Sequence, residues 1–122
     1  MTALAILAAA LLPLAELPPQ PFPPGSGCAI FLWTRAEPPK RIAMLSERNE
    51  RLKVMIGKSA VELARLGEPG SYGAEGLRIR LDLRLDPGQP MGAGGVVAGV
   101  MRIERANEEE LALAVGGLRA CV

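Results

Sequence analysis

The residues best suited to chemistry lie in "LRIRLDLRLD", residues 77–86. Read as a strand, Arg78, Arg80, Asp82, Arg84 and Asp86 share one face, and Leu77, Ile79, Leu81, Leu83 and Leu85 share the other. Side chains two apart on such a face stand about 7 Å from each other. Arg78, Arg80 and Arg84 could therefore grip an anionic partner through charge-assisted hydrogen bonds. Asp82 and Asp86 interrupt the stripe, and the competing reading is a solvated sheet face paired across strands to residues such as Glu62 or Glu104, each pair worth little. Along one strand Asp82 and Asp86 would stand about 13 Å apart, wider than either glycosidase mechanism uses.

The two cysteines are the other reactive groups. Cys28 opens the first strongly apolar run and Cys121 closes the last, 93 positions later. Lipid attachment would place Cys28 directly behind an apolar leader, whereas "PPQPFPPGSG" (18–27) intervenes and Gly25 stands three positions before it. Cysteine-only metal sites use paired spacing such as C-x-x-C, which is missing. A catalytic thiol needs a proton acceptor beside it; Arg35 or Arg119 could lower a thiol pKa but neither accepts a proton. A disulfide between Cys28 and Cys121 is the remaining role and the expected one. In the chain-entropy model a loop of this size contributes on the order of 4–5 kcal/mol.

Histidine is absent from all 122 residues. That removes the usual general base, the usual pH switch and the commonest metal ligand, and excludes histidine-assisted serine or cysteine hydrolases within a single chain. "GAGGVVAG" (92–99) has Val97 where a dinucleotide fingerprint needs glycine, and Val100-Met101 where a phosphate loop needs Lys-Ser/Thr. Glu108, Glu109 and Glu110 lack the spaced Asp/Asn and Gly of a calcium loop. No motif implies a cofactor or a metal. The charge balance, 14 Lys+Arg against 13 Asp+Glu, and 3% aromatic residues argue against nucleic acid as a partner. A non-enzymatic protein is expected.

These residues must be positioned by a domain of modest size. Residues 3–15, "ALAILAAALLPLA", resemble the apolar core of a signal peptide, with "AAA" at 8–10 or "PLA" at 13–15 as cleavage sites. The run is shorter than the roughly 20 residues needed to span a bilayer, so no stable membrane insertion is expected after processing. The expected organisation is a signal peptide and signal-like helix over 1–15, a Pro-rich linker over 16–27 holding five of the chain's 11 prolines, and one domain over 28–122.

Within that domain, "CAIFLWT" (28–34), "KRIAMLS" (40–46), "RLKVMI" (51–56), "SAVELARL" (59–66), "LRIRLDLRLD" (77–86), "VVAGVMRIERA" (96–106) and the segment after Asn107 read as strands. Two turns of helix compete over 59–66, and a helix starting at Glu108 competes for the last segment, where Leu111, Leu113 and Val115 recur at period two. "GEPGSYGAEG" (67–76) and "PGQPMGAGG" (87–95) read as loops. Turn signals every 8 to 15 residues predict an all-β fold, a small antiparallel sandwich or barrel of about six to eight short strands.

That outline is similar to the small periplasmic β-barrel inhibitors of lysozyme, which combine a signal peptide, about a hundred residues of strands and a disulfide. Members carry a lysine-containing strand-and-loop element and a Ser-Gly-x-x-Tyr-like stretch. Here "GSYGAEG" supplies Ser71 and Tyr72 in a Gly-rich loop, in a different order, so the likeness is one of architecture. The expectation is a periplasmic or secreted protein of binding or structural role whose partner is another envelope protein, with Arg78, Arg80, Arg84, Ser71 and Tyr72 as contact residues. The alternatives are an inhibitor of an envelope or secreted hydrolase acting through loop 67–76 or 87–95, and a hydrolase that uses carboxylates alone.

Overall fold

The computed structural model describes residues 14–21, 27–74, 76–85 and 95–121. Residues 1–13 of the signal helix expected over 1–15 and most of the 87–95 loop lie outside the described residues, while Ala15, which is described, bridges to Met55. Eight strands follow one another: β1 Cys28–Thr34, β2 Arg41–Ser46, β3 Arg51–Ile56, β4 Ser59–Arg65, β5 Ser71–Ala74, β6 Leu77–Leu85, β7 Gly95–Arg105 and β8 Leu111–Cys121. Each pairs antiparallel with the next, and β8 returns to β1, so the sheet closes into a barrel in simple sequence order. Closure leaves no outermost strand for another chain to extend. The two helical alternatives are resolved as strands: 59–65 is β4 and 111–121 is β8.

Alternation decides which side chains fill the barrel. Leu32, Leu52, Val54, Leu63, Ile79, Met101 and Val115 are fully buried and belong to one core cluster with Ile30, Ala43, Leu45, Val97 and Ile103. An eight-stranded barrel has an interior just wide enough to be filled by side chains, and this one is filled by branched and linear aliphatics. The hairpin between β3 and β4 turns on Gly57 and Lys58, with Gly57 at φ 61°, the left-handed backbone that primed two-residue turns require. Asn107, at φ 64°, serves the β7–β8 turn, since asparagine tolerates that region better than most residues.

The segment 67–76 departs from its expectation as a loop. Residues 71–74 form β5, the shortest strand, which holds β4 by only the pairs Ala64↔Gly73 and Arg65↔Tyr72. The cause is Tyr72: with 8% of its surface exposed, its ring belongs to the barrel core and draws a glycine-rich stretch into the sheet.

Residues 14–21 lie against the barrel. The Ala15 N–H donates to the Met55 carbonyl and the Leu17 N–H to the Arg41 carbonyl, both at 2.8 Å. Leu14 joins the core cluster, while Leu17 is fully buried in a second cluster with Ala29 and Met44, packed on Phe31 and Met55. Ala29, Phe31, Met44 and Met55 alternate with core residues along their strands, so this second cluster sits on the outside of the wall. The Lys53 ammonium donates to Gln20 Oε1 at 2.9 Å. Residues 14–21 thus form a strap across β3 and β2.

Candidate functional site

The arginines of β6 point outward, as alternation requires, and the register with β7 decides what they meet. Arg78 stands opposite Glu104 and Arg80 opposite Arg102. The Arg78 guanidinium reaches Glu104 at 3.6 Å, and that of Arg80 reaches Glu104 at 3.3 Å and Glu110 at 2.7 Å. Arg102 completes the chain of contacts with Glu110 at 3.3 Å. Hydrogen bonding to Glu110 raises the pKa of Arg80, and the same bond from Arg80 holds the Glu110 carboxyl below its ordinary value. Two carboxylates therefore spread over three guanidiniums in a ladder at one end of β6 and β7. Exposed ion pairs of this kind contribute little stability, but they fix side chains that would otherwise wave in solvent.

Of the expected anion-gripping trio, Arg78 and Arg80 are brought together and already paired. Arg84 is separate: it stands exposed opposite Ala98, with Asp82 opposite Val100. Asp86 lies outside the described residues. Glu104 is the cross-strand partner that the solvated-face reading requires, whereas Glu62 pairs in register with Lys53 on the other side of the barrel. Sequence reasoning missed Arg102 and Glu110. Arg102 was legible, because it alternates with Met101 and Ile103; Glu110 sits in the β7–β8 turn, and only the observed register brings it to Arg80.

Beside this ladder lies an open groove of about 430 Å³. Its floor is Gly73 and Leu77, and its rim includes Leu66, Arg78, Glu104 and Arg105. Among the described residues Leu66 is one of two large apolar side chains left exposed, at 38%. The groove exists because β5 is short and Gly73 has no side chain: a Cβ there would stand 2.9 Å from the Leu77 carbonyl oxygen and 3.0 Å from Leu66 Cδ1. It offers an apolar floor with one anionic and two cationic groups on its rim.

Ser71 and Tyr72 lie beside both features: Ser71 pairs in register with Arg80 of the ladder, and Tyr72 directly precedes Gly73 of the groove floor. Ser71 is buried, and its carbonyl accepts from the Leu66 N–H at 2.8 Å. Burial pushes the Tyr72 phenol pKa up; Arg65 nearby opposes this, and Glu50 and Glu47 add to it. Two ion pairs reach the β2–β3 turn: Arg65 with Glu50 at 2.7 Å, and Arg119 with both oxygens of Glu47 at 2.7 and 3.0 Å. The bidentate Arg119–Glu47 clasp ties β8 to the β2–β3 turn, and its hydrogen bonding raises the Arg119 pKa.

Cys28 and Cys121 stand directly opposite each other in the β1–β8 register and are joined, with their Cα atoms 4.0 Å apart. Comparison with known proteins gave no match. No family model fits the sequence, and no curated protein and no solved structure matches it significantly. Among the described residues no group of three or more His, Cys, Asp or Glu side chains is arranged to hold a metal ion, and no helix is long and apolar enough to cross a membrane.

Proposed function

We propose that this chain is a small exported binding protein, periplasmic or secreted, that works through the outer surface of its barrel and meets another envelope protein there. The observation that carries this reading is the disulfide joining Cys28 to Cys121 across the β1–β8 seam. Structural disulfides persist in oxidising compartments, and one that uses every cysteine of a small domain is typical of exported chains. Two further features support a surface role. The barrel interior is occupied by its own aliphatic side chains, so a ligand must be met on the outside. Among the described residues the connections are short, including a two-residue β3–β4 turn, which favours a broad sheet surface over an inserted inhibitory loop.

The groove bounded by Leu66, Arg78 and Arg105 is the proposed contact surface, with the ladder beside it holding Arg78 in place. The arginines of β6 thus act as an ordered rim shared with carboxylates. Two measurements test the proposal. Intact mass of the native protein before and after reduction, on envelope and cytosolic fractions, is expected to show an envelope form that gains two hydrogens on reduction. A cytosolic form with both thiols free would refute export. Crosslinking in an envelope extract is expected to yield a defined adduct that the Leu66→Asp/Arg78→Glu variant loses while its melting curve stays near that of the wild type; equal crosslinking by the variant would move the contact surface elsewhere.

A further inference from the structure

The sequence offers two cleavage sites for the leader, after Ala10 and after Ala15, and they differ in what they leave on the folded domain. The first keeps Leu14 and Ala15; the second removes both. The structure gives each of these residues a place. β2 and β3 pair in register from Ala43↔Val54 to Ser46↔Arg51. Beyond Ala43 and Val54 the strap bonds to both strands, through the Ala15 N–H on the Met55 carbonyl and the Leu17 N–H on the Arg41 carbonyl. Leu14, 4% exposed, belongs to the cluster inside the barrel, and Leu17 to the cluster outside it. The strap therefore passes through the wall where β2 and β3 part, with Leu14 as its inner end.

We propose that the mature protein keeps Leu14, and that the leader is cut upstream of it, after Ala10. The inference rests on the export reading and sharpens it. Signal cleavage is directed by small residues in an A-x-A-like pattern before the cut. Ala8 and Ala10, which lie outside the described residues, fit that pattern, whereas a cut after Ala15 would put the rigid ring of Pro13 at the outer of the two positions.

The fold points the same way. A cut after Ala15 would empty the place of Leu14 in the core and strip the Met55 carbonyl of its donor. It would also leave a new ammonium on Glu16, next to the fully buried Leu17. The lost burial and the lost hydrogen bond both weaken the folded state. A discarded leader contributes nothing to a fold, whereas Leu14 and Ala15 contribute a buried side chain and a hydrogen bond. Once the strap is docked, the backbone on either side of the Ala15–Glu16 bond is held between β3 and β2, so a protease that needs an extended, free segment finds it closed.

N-terminal sequencing of the native protein from an envelope fraction, with the full chain expressed together with its leader, tests the assignment. The terminus is expected at Leu11. A terminus at Glu16 or later overturns this inference and leaves export standing, whereas an unprocessed cytosolic chain with free thiols overturns the export reading and this inference with it. Two kinds of variant of the full chain give independent readouts. Leu14→Ala is expected to lower the urea midpoint of the purified mature protein by about 1 M. An unchanged midpoint would overturn the retention of Leu14, because a chain cut after Ala15 no longer carries the substitution. Ala10→Gln is expected to leave the precursor uncleaved, and Ala15→Gln to be processed like the wild type; the reverse pattern overturns the assignment.

Discussion

Replacing Leu17 with alanine tests whether the strap belongs to the folded domain. Leu17 is fully buried although it stands eleven positions before the first strand, and it covers Ala29 and Met44 on the outside of the wall. Leucine-to-alanine changes at buried sites cost about 2–5 kcal/mol. Two features place Leu17 at the low end: its cluster is small, and the strap can undock and so cap the loss at its own docking energy. That energy comes from burial of Leu14 and Leu17 together with two backbone hydrogen bonds, those of Ala15 and Leu17. A loss of about 2 kcal/mol is expected for Leu17→Ala. With a urea slope of about 1–1.5 kcal/mol/M for a domain of this size, the midpoint should fall by roughly 1.5 M. The single tryptophan, Trp33, reports the transition by fluorescence. Limited proteolysis supplies the local readout, since an undocked 14–21 segment should be clipped while the barrel survives. Gln20→Ala, which removes the part-buried hydrogen bond from Lys53 and an exposed one to the Pro18 carbonyl but no apolar burial, should move the midpoint by less than half as much. A Leu17→Ala midpoint within about 0.3 M of the wild type would refute the docking described here.

Two further outcomes follow from the barrel interior and its seam. Tyr72 is the only tyrosine, so its tyrosinate absorbance can be titrated directly; burial raises its pKa, and the midpoint in the folded protein should lie above 10.0. The folded chain then keeps this proton longer than the unfolded one, so the tyrosine's stabilising contribution is complete below the unfolded pKa and is lost as pH rises through the folded value; a midpoint at or below 10 would contradict the burial. Adjacent glycines of β8 should respond oppositely to alanine: at Gly117 a Cβ would meet the Phe31 carbonyl oxygen at 2.5 Å and Leu32 Cδ2 at 2.8 Å, whereas at Gly116 it would find only ordinary contacts. Urea melts should show Gly117→Ala losing about 2 kcal/mol or more and Gly116→Ala changing by less than about 0.5, and equal effects would mean that the strand's two faces are misassigned.

Much of the sheet was legible because its signal is local. Period-two alternation places β6 without ambiguity, and Val97, Met101 and Ile103 mark the inner face of β7 as they do in the sequence. The Cys28–Cys121 pairing was reachable by elimination, since each alternative role needs residues that the chain lacks. Three features were not legible, each for a physical reason. β5 is four residues long with glycine at its third position, so its membership depends on Tyr72 finding the core, a tertiary effect that no short window contains. The arginine ladder depends on Glu110, whose place opposite Arg80 is set by the β6–β7–β8 register. The strap was hidden by its composition: Leu14 and Leu17 sit beside a run of prolines that reads as spacer, and only the outer cluster of Ala29 and Met44 shows what they cover.

The direct opposition of Cys28 and Cys121 makes the barrel, taken as a connectivity diagram, a ring. Every strand neighbours the next in sequence, and the bond closes the last step, so no hairpin is topologically privileged as the start. A chain opened at the Gly57–Lys58 turn, with its former ends linked through 121 and 28, would present the same set of neighbours. Seven of the eight seams join strands adjacent in sequence and can zip locally; only the β1–β8 seam waits for the whole ring to assemble. Formation of the disulfide therefore records completion of the fold, and a single backbone cut in any turn between β1 and β8 would leave the oxidised molecule covalently whole.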